Sequence, residues 1–187
     1  MEIKFTCKLP PSVNTYLGKS VVWIAGRPTV HIYETTKAKA YKKYLNKIVK
    51  EAMKEYQWEK TQDGEYVICE MEVYLSRKRS DSDNILKCLL DGITTSEAIF
   101  DDSFIIPRFK NVYIDANDPR VEVTLVKINK KGIFAGDVSY KYFLNSYCKK
   151  CSRYSRNCSI LKKALDNKIT KELDKDSLTC SAYKEKK

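Results

Sequence analysis

The residues with the most chemistry in them stand close together. From Ser80 the chain reads SDSDNILKCLLDGITTSEAIFDD, so positions 81 to 102 hold six acids (Asp81, Asp83, Asp91, Glu97, Asp101 and Asp102) and one base, Lys87. The chain as a whole is basic, with 35 Lys and Arg against 24 Asp and Glu and a formal charge of +11. A charge run is ordinarily a solvated helix face. The sharper alternative is a divalent cation held by carboxylates, with basic surroundings that hold phosphates. Magnesium is bound by a few carboxylates and keeps several waters, so Asp81, Asp83 and one aspartate of the 101/102 pair would suffice. Lys87 beside them would neutralise charge on a pentacovalent phosphate or a leaving oxygen. Its plainer role is a helical salt bridge to Asp83 or Asp91, and spacing alone rates the two evenly. Such a site hydrolyses a phosphodiester without histidine, which matters because the single His, His31, removes most His-based catalysis.

The second chemical group is sulfur. Of seven cysteines, Cys7, Cys69 and Cys88 sit among apolar neighbours and read as small buried hydrophobes. The other four, Cys148, Cys151, Cys158 and Cys180, gather near the C-terminus. Cys148 and Cys151 form a C-x-x-C knuckle, the usual first half of a structural zinc site, while the intervals that follow are irregular. Four-thiolate zinc ranks slightly above a disulfide pair or unliganded thiols, since an intracellular setting keeps thiols reduced.

The elements that must position these groups follow from periodicity. Residues 2 to 8 read as a first or edge strand stopped by Pro10 and Pro11, and 21 to 33 as a hairpin or flap. From Thr36 to about Trp58, apolar residues recur at threes and fours among lysines, an amphipathic helix started near Glu34, Thr35 or Thr36. Residues 66 to 79 alternate as a strand. If that strand runs on, Asp81 and Asp83 point to one side of its end. A helix starting at Asp83, its natural N-cap, places Lys87 and Asp91 on one stripe. Further strands are expected at 104 to 114 and 120 to 128, separated by DANDP.

The expected class is therefore α+β, a mixed β-sheet with two main helices. A main domain spans 1–134 and a basic, Cys-rich extension spans 135–187, which carries +7 of the +11 charge. The Lys and Arg of that tail, interleaved with Tyr147 and Tyr154, suit a DNA backbone or a docking partner, or else form a solvated extension with no task beyond solubility. Neither a membrane span nor a signal core is visible, so no membrane partner and a cytoplasmic setting are expected.

The arrangement D-S-D-N-I-L-K with a later I-F-D-D, preceded upstream by PPSVNTY, resembles the RusA family of Holliday junction resolvases, from roughly Lys8 to Ile128. The resemblance implies a RusA-like fold and a homodimeric, magnesium-dependent endonuclease that makes paired cuts in four-way junction DNA; in-line attack by water activated at a carboxylate-held magnesium would leave 5′-phosphate and 3′-hydroxyl ends. It implies Asp81, Asp83 and Asp102 as metal ligands and Lys87 as the essential base near the scissile phosphate. Asn84 would order the turn or its neighbouring aspartates, and Asp101 is the less favoured member of its pair. Asn14 and Tyr16 match the N-terminal motif, near DNA or the active site. The family tends to carry a base directly before the first aspartate; here Ser80 stands there and Arg79 one place earlier, so Arg79 joins the DNA-contact set. The resemblance does not cover the Cys-rich tail. Two alternatives stay open: a noncatalytic DNA-binding or regulatory relative, and a nuclease acting on flaps or replication intermediates.

Overall fold

The computed structural model describes residues 1–78 and 81–186, and the chain divides into two compact units, Met1–Lys127 and Ile128–Lys187. The division falls at 127/128 rather than at the composition shift at 134/135, because Ile133 and Phe134 pack with the second unit.

In the first unit, alternation does what it predicts. Strand β1 (Glu2–Lys8) buries Ile3, Phe5 and Cys7 on one face. After Pro10 and Pro11 comes a single helical turn, α1 (Val13–Tyr16), which is too short to leave a periodic signal. Strands β2 (Leu17–Ile24) and β3 (Arg27–Glu34) pair antiparallel as a hairpin. Ala25 and Gly26 at its tip both have positive φ, the backbone of a type I′ turn.

Helix α2 (Thr36–Glu55) buries Ala38, Leu45, Val49 and Ala52 and leaves its lysines mostly outside. Thr35 caps it: the hydroxyl oxygen accepts from the Ala38 N–H (3.3 Å), and the hydroxyl donates to the Thr15 carbonyl (2.7 Å), which ties α1 to the helix. Thr35→Ala is therefore expected to destabilise the fold by about 1 kcal/mol in urea unfolding. A shift below about 0.3 kcal/mol would show that water replaces the cap at no loss.

Strand β4 (Tyr66–Leu75) buries Val67, Cys69, Met71, Val73 and Leu75 in strict alternation. It ends at Leu75, short of the 79 expected, so Asp81 and Asp83 do not stand on a strand end. A tight 3₁₀ turn at Asp83–Ile85 leads instead into helix α3 (Leu86–Thr95). Strands β5 (Ile105–Ile114) and β6 (Arg120–Ile128) follow, as the spacing predicts.

The sheet order is β1-β6-β4-β5, with β1 and β6 antiparallel and β4 and β5 parallel. The fold is thus mixed α+β, and α3 lies in the crossover that a parallel pair requires. Leu45, Val49 and Ala52 of α2 and Leu89 and Ile93 of α3 share one core with the inward residues of β1, β4 and β6. The two helices approach closely at Gly92, where an added Cβ would come within 2.6 Å of the Leu45 side chain. Edge strand β5 buries only Ile105 at its start and leaves Phe109, Val112, Tyr113 and Ile114 exposed.

The second unit has helices α4 (Asp137–Phe143) and α5 (Ser159–Leu165) and a minimal hairpin of β7 (Leu173–Asp174) and β8 (Thr179–Cys180). Helix α4 runs on as a π-helical turn, Leu144–Cys148. Phe134, Phe143, Cys148, Ala164 and Leu173 form its buried core. Among the described residues, no helix is long and apolar enough to cross a membrane.

Candidate active site

The segment between β4 and β5 carries the acidic run, and its turns decide where each carboxylate goes. Asp83 begins the 3₁₀ turn without capping it through its side chain, because α3 starts two residues later than a helix capped by Asp83 would. Its carboxylate is left exposed. Asn84 Nδ2 donates to Asp81 Oδ2 at 3.3 Å, so the asparagine orders the neighbouring aspartate. At the start of the helix, Lys87 Nζ donates to Asp91 Oδ1 at 2.8 Å and lies 3.8 Å from Asp102 Oδ2. The i,i+4 salt bridge and the approach to a distant carboxylate therefore coexist on one lysine. Its hydrogen bond to Asp91, helped by the charges of Asp91 and Asp102, holds the Lys87 ammonium above its ordinary pKa despite partial desolvation.

The 101/102 pair splits by role. Asp101 Oδ1 accepts from the Ser103 N–H at 2.9 Å and caps the turn Asp102–Phe104, and hydrogen bonds from the Ser103 side chain first and then from that N–H hold its carboxyl below the ordinary range. Asp102 keeps its carboxylate toward Lys87, with its side chain 46% exposed.

Behind Lys87 lies a network that reading along the chain does not reveal. Tyr16, expected near DNA or the active site, is buried beside the latter: its hydroxyl lies 2.9 Å from Glu34 Oε1 and in hydrogen-bond contact with Asp91. Burial first, then these two carboxylates, push its phenol pKa up, so it stays a neutral donor. Lys42 pairs with Glu34 and holds that carboxyl below its ordinary value. Asp91 thus accepts from Lys87 on one side and meets Tyr16 on the other. The i+4 spacing from Lys87 pointed to Asp91, but the Tyr16 contact spans 75 positions and left no local trace.

Asn14 is exposed and lines an open cleft together with Lys37, Arg77, Asp81 and Asn84. This brings one residue of the N-terminal motif and the first aspartate to the same wall, beside two cations. Lys37 and Arg77 do not stand out in the sequence, where they look like any other surface base. Arg79, expected at the DNA backbone, lies outside the described residues. His31 stacks on Tyr33 within the β2–β3 hairpin.

The segment that carries this geometry is also the one that matches a known family. The family model for Endodeoxyribonuclease RusA covers residues 9–126. The chain belongs to the RusA family. That assignment makes the first unit an endodeoxyribonuclease domain, and the match stops before the Cys-rich second unit. No curated protein matches the chain.

RusA-family nucleases generally use magnesium, and the residues present suit that ion. Asp81, Asp83 and Asp102 offer only hard oxygen donors, all exposed, with no imidazole or thiolate among them. Among the described residues, no group of three or more His, Cys, Asp or Glu side chains is placed so that it could hold a metal ion. The carboxylates therefore form an open arrangement in this structure, with Asp102 tethered through Lys87 and Asp81 through Asn84.

Proposed function

We propose that this chain is a magnesium-dependent, structure-selective endodeoxyribonuclease that resolves Holliday junctions by paired symmetric cleavage in DNA recombination and repair. The observation that carries the reading is Lys87 held between Asp91 and Asp102 within the family-matched segment. A cation fixed beside exposed carboxylates suits attack on a phosphodiester, whereas a passive DNA binder would gain nothing from setting acids against phosphate.

In this reading Asp81, Asp83 and Asp102 hold the ion. Magnesium, when bound, supplies a Lewis acid for the phosphoryl oxygens and makes water nucleophilic near neutral pH. The Lys87 ammonium offsets charge that develops on the phosphoryl group or the leaving oxygen. Asn84 orients Asp81, and Asp91 with Tyr16 behind it fixes the Lys87 side chain. Asn14, Lys37 and Arg77 along the cleft receive backbone phosphates, which position the duplex without reading its sequence.

A two-fold homodimer would present two equivalent sites to a roughly symmetric junction, which accounts for paired cuts. The exposed apolar side chains on edge strand β5 support self-association, since a monomer rarely leaves an unpaired edge so apolar.

Synthetic four-way junctions, flaps and plain duplex, each incubated with magnesium and with chelator, test the proposal. Paired symmetric nicks in the junction alone, lost with chelator, are expected. Equal cutting of flaps, or tight junction binding without nicks, would overturn it.

A further inference from the structure

The second unit lies outside the family match and contains the chemistry that the nuclease reading leaves unused. Its four cysteines are spread over 33 positions, yet Cys148, Cys151, Cys158 and Cys180 all line one cavity. That cavity encloses about 20 Å³, room for one water or one ion and too little for an organic ligand. Its remaining wall is mostly apolar or aromatic, including Phe143, Ile160 and Tyr183.

Each cysteine is delivered by its own local turn. Cys148 ends the π-helical turn after α4, and the Cys151 N–H donates back to the Cys148 carbonyl at 2.9 Å, closing the C-x-x-C knuckle. Cys158 stands directly before α5, and Cys180 is the last residue of β8. The knuckle is pinned by the far end of the chain: Cys151 bridges to Glu185, the Ser152 N–H donates to the Lys184 carbonyl (2.8 Å), and the Lys186 N–H to the Lys150 carbonyl (2.9 Å). Four separate segments thus meet where the sulfurs are.

Cys151 is also held from the backbone, because the N–H groups of Lys184, Arg153 and Tyr154 hydrogen-bond to its sulfur.

Size gives a second and independent reason. The unit spans only residues 128–187 and buries five core residues, whereas cores in units below about 70–80 residues usually need a disulfide or a metal to hold them. As they stand, no three of these sulfurs are placed to hold one ion, so binding requires them to draw together around the cavity they line, and tetrahedral zinc is the ion whose preference for four thiolates would do that.

We propose that Cys148, Cys151, Cys158 and Cys180 bind one structural zinc ion that staples the second unit together. Binding involves no redox step: the thiols release their protons to solvent and four sulfur lone pairs are donated to the ion. The site is separate from the carboxylates of the nuclease domain in ligand type, since those offer only oxygen.

Elemental analysis of the full chain, purified under reducing conditions without chelator, tests this. About one equivalent of zinc per chain is expected, together with a thiolate-to-metal charge-transfer band after cobalt exchange. Cys148→Ser and Cys180→Ser should lower the bound zinc at least tenfold, and Cys88→Ser, in the first unit, should leave it unchanged. Should the serine variants fail to fold, the parent protein still decides the matter. Zinc below a tenth of an equivalent in folded protein with seven titratable thiols, or two thiols lost to a disulfide, would overturn the proposal.

Discussion

Asp102→Asn is expected to abolish cutting of a four-way junction while leaving junction binding measurable. The side chain is nearly isosteric, and Asp102 is exposed and outside the hydrophobic core, so the fold should survive the change. Two things are lost with the charge. One is a proposed magnesium ligand, for which a neutral amide oxygen is a much weaker donor. The other is the Coulombic partner that lies 3.8 Å from Lys87 Nζ. A fall in cleavage rate of at least about 10³-fold, or about 4 kcal/mol of transition-state stabilisation, is the expected size. Binding should change far less, because phosphate contacts along the cleft carry most of a nuclease's affinity. Gel-shift and single-turnover cleavage with the same junction separate the two quantities. Cleavage within tenfold of the parent would remove Asp102 from the site. Asp101→Asn serves as the contrast: Asp101 caps its own turn through the Ser103 N–H, so its loss should show in stability before it shows in rate.

How far these roles could be read beforehand depends on the distance over which each interaction acts. Strand β4 and helix α2 were legible because burial imposes a period on ten and twenty consecutive residues. The stripe of Lys87 and Asp91 was legible for the same reason, as i,i+4 neighbours on one helix. Cys7, Cys69 and Cys88 were readable as buried from their apolar neighbours. By contrast, the N-cap expected at Asp83 depended on where the helix begins, and a 3₁₀ turn moved that point by two residues. Strand β5 has apolar residues enough for a core strand, yet most of them are exposed because it is the edge of the sheet, and edge position is a property of topology rather than of the segment. Tyr16 is the sharpest case. Its motif placed it near the site, but whether it faces DNA or the interior was set by Glu34 and Asp91, which arrive from β3 and α3.

That interior placement makes Asp91 a positioning residue, and Asp91→Asn the test of it. The amide keeps an acceptor for the Tyr16 hydroxyl, so the fold should be little affected, but the charge-assisted bond to Lys87 at 2.8 Å is replaced by a neutral one. Cleavage should fall by about 10–100-fold, as is usual for a group that orients a ligand or catalytic side chain, with the loss in kcat rather than KM. Asp91→Glu should restore part of the rate, because it returns the charge.

The pH profile separates this role from a merely structural one. Lys87 sits above its ordinary pKa chiefly because of its bond to Asp91. A raised lysine keeps its charge through neutral pH and contributes below its unfolded value of 10.5; the contribution is lost as pH rises through the higher folded value. Without Asp91 the largest raising influence is gone and partial desolvation still acts downward, so Lys87 must lose its proton at lower pH than in the parent. The alkaline limb of the kcat profile should therefore move toward neutrality in Asp91→Asn and back again in Asp91→Glu. An Asp91→Asn enzyme with parental kcat and an unmoved alkaline limb would show that Lys87 needs no such support, leaving Asp102 as the carboxylate that holds it.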